Sequence, residues 1–420
     1  MSKIDLKNNY LLIFFSIIPI CIIVGPAISI INIFLLIISF LFYYKNKSFL
    51  HIFRTKVVIF LLIIYLYLLF NSVISIDYKM GLVRNLGFFR FLLLFFAINY
   101  LFFNNKKIDI AFNFWLLISF IVMFDIFFEF FLGKNILGYS QSYTCESCPR
   151  IVSFFKDELI VGGYLNGFIF IVFGFLFSNF DQKKKDKQFY IFLFILIFFL
   201  CILITGERSN TVKFIFGILL FISINPFIKL KFKLISLLVV VLLFTLSYFS
   251  SDKIKLRYGG QLINLIDNKE KRELYFKENT YLNLYKSGIE VFKKYPVYGA
   301  GNKNYRVETC GYNNNPKYFC NTHPHQIYIE FLSEHGLVGS LLLLSVIFFL
   351  IFRNIKVMIK SKNLIQMGSF CFLLMNFLPI LPSGSFFSDF NATLFWLNFS
   401  IFYASNPKTN IFSKNGGLAQ

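Results

Sequence analysis

The chain has 420 residues, of which 57% are hydrophobic and only 15% charged, and 61 of them are Phe. Soluble domains run nearer half apolar and a quarter charged, so this composition argues against a soluble enzyme of one to three domains. A net charge of +21 would point to nucleic acid in a soluble protein. Against this apolar background, Lys and Arg are read instead as fixing the orientation of a membrane protein, with the lipid bilayer and not nucleic acid as partner.

A membrane span needs about 20 apolar residues, or somewhat fewer where loops dip into the interface. Twelve are read in chain order. The first two, 10–24 and 28–44, are divided by Gly25-Pro26, and 57–75, 84–103, 110–131 and 159–179 follow. A pair at 189–205 and 210–225 is divided by Gly206-Glu207-Arg208-Ser209, and the last four lie at 235–250, 334–352, 364–381 and 387–403. The first run follows Lys3 and Lys7 as a signal peptide would. It has no small-residue cleavage site and leads directly into another span, so it is expected to be retained. The expected fold is an all-α integral membrane protein of about twelve transmembrane helices with one long outside loop containing helices. Its divisions are a membrane domain of nine spans at 1–250, the large loop at 251–333, and the last three spans with a cytoplasmic tail at 334–420.

Charge supports this count. With both termini inside, every inside segment is basic: Lys3 and Lys7, then Lys45, Lys47, Arg54 and Lys56, then Lys106 and Lys107, then Lys183, Lys184, Lys185 and Lys187. Lys229, Lys231 and Lys233 follow, then Arg353, Lys356, Lys360 and Lys362, and finally Lys408 and Lys414, while the outside turns at 25–27 and 382–386 carry no basic residue. This is the positive-inside pattern. Within the long outside loop, Tyr281, Leu284, Tyr285, Gly288, Ile289 and Phe292 fall at helical spacing and stop at Pro296. They predict an amphipathic helix lying against the membrane domain or its surface.

Ionisable residues in lipid are costly and usually functional. Here Arg84, Arg90, Asp125, Glu129, Asp157, Glu158, Glu207, Arg208, Lys213, Glu330, Glu334, His335 and Asp389 all fall at the outer ends of spans. A proton- or ion-coupled transporter would place polar groups near the midplane; this chain builds a polar layer at one face. Taken singly, Arg84, Lys213 and Asp157 also fit snorkelling to the interface, and Arg90 fits a plain ion pair with Asp125 or Glu129. Arg208 sits on a tight turn, where its guanidinium could hold phosphate oxygens in bidentate fashion beside the N-terminus of the next helix.

The most specific passage is Thr322-His323-Pro324-His325-Gln326-Ile327-Tyr328-Ile329-Glu330, continuing to Glu334-His335-Gly336-Leu337-Val338-Gly339. Pro324 suits the first turn of a helix, which would set both histidines at its positive end and favour the neutral form that a general base needs. A His-x-His pair with a nearby Glu also suits a metal, but no third ligand stands at a convincing spacing. His335, between Glu334 and Gly336, is expected to be an interfacial residue.

The segment HPHQIYIEFLSEHGLVG resembles the signature of the O-antigen ligase and O-antigen polymerase family of bacterial membrane glycosyltransferases. YLNLYKSGIEVFKKYPVYGAGNKNY, TGERSN, GFFRFLL, DIFFEFFLGKNILGY and RIVSFFKDELIVGGYL are similar to other family segments, in the right order. Gln326 stands where the family usually has Asn. The resemblance implies metal-independent transfer, without a cofactor, of a glycan from a polyprenyl diphosphate carrier to a lipid A core or to another carrier-linked repeat unit. It implies the bacterial inner membrane, with the active site in the periplasmic face and both termini cytoplasmic. On that reading His325 is the expected base and His323 its alternative. Arg208 would bind the diphosphate with Arg257 or Arg272, and Arg84, Arg90 and Glu330 are further substrate-binding candidates. Arg306 and Arg150 are weaker candidates among the loop arginines. A flippase or transporter of lipid-linked glycans, and a membrane scaffold, are the alternatives from other classes.

Cys21, Cys201 and Cys371 fall within spans, as packing residues. Cys145, Cys148, Cys310 and Cys320 lie in outside loops, and an even number on the oxidising side favours disulfides. Cys310–Cys320 is expected to close a loop that Gly311 and Asn313 to Asn315 allow to bend. Cys145–Cys148 is tighter, and pairing between the two loops stays open.

Overall fold

In a bilayer every backbone N–H and C=O must find its partner within the protein, which leaves helices as the natural outcome of long apolar runs. A computed structural model describes residues 9–44, 50–140, 150–156, 158–179, 185–252, 254–255, 258–259, 277–311 and 315–413, and the described residues contain helices and no strand. In chain order the helices are α1 (Asn9–Ser16), α2 (Ile18–Val24), α3 (Pro26–Tyr44), α4 (Leu50–Phe53), α5 (Lys56–Val73), α6 (Tyr78–Asn104), α7 (Ile108–Leu132), α8 (Val161–Asn179) and α9 (Lys185–Ile204). Next come α10 (Arg208–Ile224), α11 (Leu230–Ser250), α12 (Thr280–Lys294), α13 (Tyr305–Cys310), α14 (Ile327–Phe352), α15 (Ile355–Ser361), α16 (Leu364–Met375) and α17 (Asp389–Ala404).

Among the described residues, six helical segments are long and apolar enough to cross a membrane: α3, α5, α6, α7, α8, and α14 together with α15. Phe192–Ile204, Val241–Ser250 and Leu364–Met375 are shorter apolar helices. The run expected to span 364–381 stops as a helix at Met375, and residues 376–388 form a loop that enters the site described below.

Helix ends are set by local chemistry. Gly25, at φ 137°, breaks α2 from α3. Asp77 caps α6, its carboxylate accepting from the N–H groups of Lys79 and Met80; Asn363 and Ser388 do the same for α16 and α17. The tightest packing joins α8 to α16. A Cβ on Gly174 would stand 2.3 Å from the Leu364 carbonyl oxygen, and one on Gly368 2.0 Å from that of Phe170. Glycines here let two backbones approach closely, the usual means of helix association in lipid.

The element α14 is two helical pieces joined at Gly336, whose φ of 62° and ψ of −168° interrupt the helix. The backbone groups freed there are taken up by 296–301. Ala300 and Gly301 donate to the carbonyls of Ser333 and Glu334, and Leu337 and Val338 donate to those of Pro296 and Val297. The segment after α12 is thereby fastened into the broken helix, and α12 itself packs against α14. A small second core of Val291, Ala300 and Tyr305, with a bond between Cys310 and Cys320 at a Cα–Cα distance of 4.7 Å, holds this region together.

Candidate functional site

The polar ends of the helices meet at one end of the bundle. Asn71 of α5, Asn85 of α6 and Asn302 form a buried network in which Asn302 N donates to Asn71 Oδ1 at 2.8 Å and Asn302 Nδ2 to Asn85 Oδ1 at 2.6 Å. Asn71 also donates to the carbonyl of Glu334, which ties α5 and α6 to the kink of α14. Arg84, one residue before Asn85, reaches Asn302 Oδ1 at 3.5 Å. Its charge is felt at His323, Glu330, Glu334 and His335. Two turns along α6, Arg90 forms an ion pair with Asp389 at the start of α17.

The rings of His323 and His325 lie with centroids 3.9 Å apart, tilted by 36°, and Tyr281 of α12 sets its ring against His325 at 5.9 Å. His323 Nδ1 lies 2.9 Å from Thr322 Oγ1, while its buried Nε2 meets no hydrogen-bond partner among the described residues. Burial draws the His323 pKa down to about 3, helped by His325 and by the Arg84 charge. Burial also lowers that of His325. Both rings are therefore neutral near pH 7, the form in which an imidazole can accept a proton. The cause is desolvation rather than the helix end expected from Pro324. Helix α14 starts later, at Ile327, and Gln326 caps it, its Oε1 accepting from Ile329 N at 2.8 Å. The amide of Gln326 thus has a structural task.

The second arginine turn joins α9 to α10. Arg208 is the first residue of α10 and is partly exposed. Beside it, Glu207 is buried and accepts from Gly162 N at 2.8 Å and from Asn210 Nδ2. Burial pushes the Glu207 carboxyl up to about 7 against those two bonds and the charge of Arg150. A Cβ on Gly163 would touch both Asn210 and Phe390. Phe390 follows Asp389, the partner of Arg90, so the Arg208 turn adjoins the Arg90 and histidine region through one small contact.

Several expectations change. Arg90 pairs with Asp389, not with Asp125 or Glu129. Those two carboxylates instead hold the chain after α7: Asp125 accepts from Ile136 N and Ser153 Oγ, and Glu129 from the N–H groups of Val152 and Ser153. His335 is not interfacial but fully buried, packed against Tyr67, Phe331 and Phe387. Glu330 is fully buried, and its carboxylate accepts from Ser385 Oγ and Phe386 N. Arg306 is exposed on α13. Arg257, Arg272, Asp157, Cys145 and Cys148 lie outside the described residues. No three His, Cys, Asp or Glu side chains among the described residues are grouped so as to hold a metal ion.

The roles of Asn71, Asn85, Asn302 and Ser385 escaped sequence reasoning. The asparagines had a usable signal: an amide inside an apolar run must find a partner, which marks Asn71 and Asn85 as contact points without saying with what. Residues 192–344 match a family model described as O-antigen ligase. That range takes in the Arg208 turn, α12, both site histidines, Glu330 and the kink, but not Arg84, Arg90 or Asp389. No curated protein matches the chain.

Proposed function

We propose that this chain, which carries an O-antigen ligase domain over residues 192–344, is a glycosyltransferase of O-antigen biosynthesis. It moves a glycan from a polyprenyl diphosphate carrier to a lipid A core or to a second carrier-linked repeat unit. The reaction takes place at the periplasmic face of the bacterial inner membrane, with both termini in the cytoplasm, as the basic inside segments favour. The observation that carries this reading is a close pair of neutral histidine rings within reach of the Arg84 charge at one end of an apolar bundle, with the Arg208 turn adjoining through Gly163 and Phe390.

In the proposed step His325 accepts the proton of the acceptor hydroxyl as its oxygen attacks the anomeric carbon. The bond from that carbon to the diphosphate oxygen breaks, and the polyprenyl diphosphate departs with the electron pair. Arg208 and Arg84 offset the charge that develops on the leaving group, since fixed cationic donors act most strongly where water is excluded. Arg90 is committed to Asp389 and shapes the site's wall. His323, whose ring lies against that of His325, is the alternative base.

The test is purified protein in vesicles given a polyprenyl diphosphate-linked glycan and an acceptor. The expected result is joined product with release of polyprenyl diphosphate in equal amount. Relocation of intact donor across the bilayer, with no joined product, would replace the enzyme by a transporter. In cells lacking the protein, long glycan left on the carrier would assign the lipid A core as acceptor. A core bearing one repeat unit would assign the carrier-linked repeat.

A further inference from the structure

We infer that the loop between α16 and α17, residues 376–388, is the device that positions the histidine pair, and that Glu330 is its anchor. The inference rests on the proposed function for its kinetic consequence, but its geometric part stands apart from it. His325 holds a left-handed backbone, φ 54°, a conformation unusual for any residue but Gly. Its carbonyl accepts from Ser383 N at 2.8 Å, so the direction of the imidazole depends on where Ser383 is held. Two residues on, Ser385 Oγ donates to Glu330 Oε1 and Phe386 N to Glu330 Oε2, the latter at 3.0 Å. Both oxygens of a fully buried carboxylate are therefore spent on the loop.

Other bonds draw the same loop to the same place. Tyr328 OH donates to the carbonyl of Phe377 at 2.6 Å and Tyr285 OH to that of Ile380 at 3.1 Å. Asn391 Nδ2 donates to the carbonyl of Ser385 at 2.9 Å, and the loop ends at Asp389, the partner of Arg90. One short segment thus joins the histidines, the first turn of α14, helix α12 and the α6 arginine. Glu330 is a positioning residue: it reaches His325 through Ser385, Ser383 and the backbone, and it touches no reacting atom.

The experiment measures acylation of His325 by diethylpyrocarbonate in the purified full chain without substrate, read by peptide mass spectrometry, alongside transfer kinetics. Glu330→Ala should raise the labelling rate of His325 about tenfold, as expected for loss of two hydrogen bonds that each contribute about 0.5–1.5 kcal/mol. Glu330→Gln should stay within about threefold of the unaltered protein in labelling and in kcat, because an amide can accept from Phe386 N and donate to Ser385 Oγ. Glu330→Ala should lower kcat with the KM for the donor unchanged. Ser385→Ala, which keeps the Phe386 bond, should fall between the two and serves if Glu330→Ala does not insert. Unchanged labelling in both Glu330→Ala and Ser385→Ala overturns the inference, as does a Glu330→Gln protein as inactive as Glu330→Ala, since Glu330 would then act through its charge. Faster labelling with undiminished transfer supports the positioning and removes His325 from the proposed chemistry.

Discussion

Two groups of buried polar residues sit at the same end of this bundle, and they differ in what they leave unspent. Around Asp125 and Glu129, all four carboxylate oxygens accept a hydrogen bond from the segments at 136 and 152–153. Around the histidines, His323 Nε2, Arg90 Nε and Glu334 Oε2 are buried and meet no partner among the described residues. Buried polar atoms are normally paired, and leaving one unpaired costs about 1–3 kcal/mol. The first group has the character of a fastening. The second has hydrogen-bonding capacity to spare, which on the proposed function an incoming glycan and diphosphate would take up. Location at the membrane end is shared; hydrogen-bond capacity separates the two.

This contrast can be broken by substitution. His325→Ala should insert normally and lose about a hundred- to ten-thousand-fold in turnover, the usual contribution of a general base, measured against membrane level. Arg208→Lys should lose about ten- to a hundredfold, since an ammonium cannot reproduce a planar bidentate fork and a charge-assisted bond contributes about 1.5–3 kcal/mol. Glu129→Ala should do the reverse. It strands two backbone N–H groups and should lower stability by about 1–3 kcal/mol, seen as a shifted denaturation midpoint, with turnover per folded molecule kept. Gln326→Ala removes only the cap of α14 and should cost about 1 kcal/mol, the smallest of the four. A Glu129→Ala protein that folds normally yet does not turn over would place the two groups in one functional unit.

Much of the architecture was legible because a lipid environment makes one demand, an apolar helix, and the sequence meets it visibly. The helix over 281–292 was legible from its spacing, and the structure has it as Thr280–Lys294. The site was legible as a list of residues at one face, but its pairings were not. Arg90 finds its partner 299 residues away, and nothing in local spacing separates Asp389 from the nearer Asp125 and Glu129. The break at Gly336 was hidden for the same reason: a glycine in a span permits a kink, but only the distant 296–301 segment supplies its hydrogen bonds. His335 was expected at the interface from its neighbours in sequence, Glu334 and Gly336, whereas Tyr67 and Phe387, which bury it, come from other elements.

The central claim, that a neutral histidine held at this end of the bundle takes the acceptor's proton, is met most directly by the pH dependence of kcat/KM for joined product. Burial lowers the His325 pKa below its ordinary 6.5, so the base form prevails at and above that pH and is lost by protonation as pH falls. For folding the two histidines act with the same sign: each binds fewer protons folded than unfolded below about pH 6.5, so their contribution to stability declines as pH falls from there. Product formation should be level above about pH 7.5 and decline on acidification with a midpoint under about 6.5, at pH values where the protein is still folded. A rate that keeps rising well above pH 7, or one undiminished on acidification in the folded protein, would contradict the account.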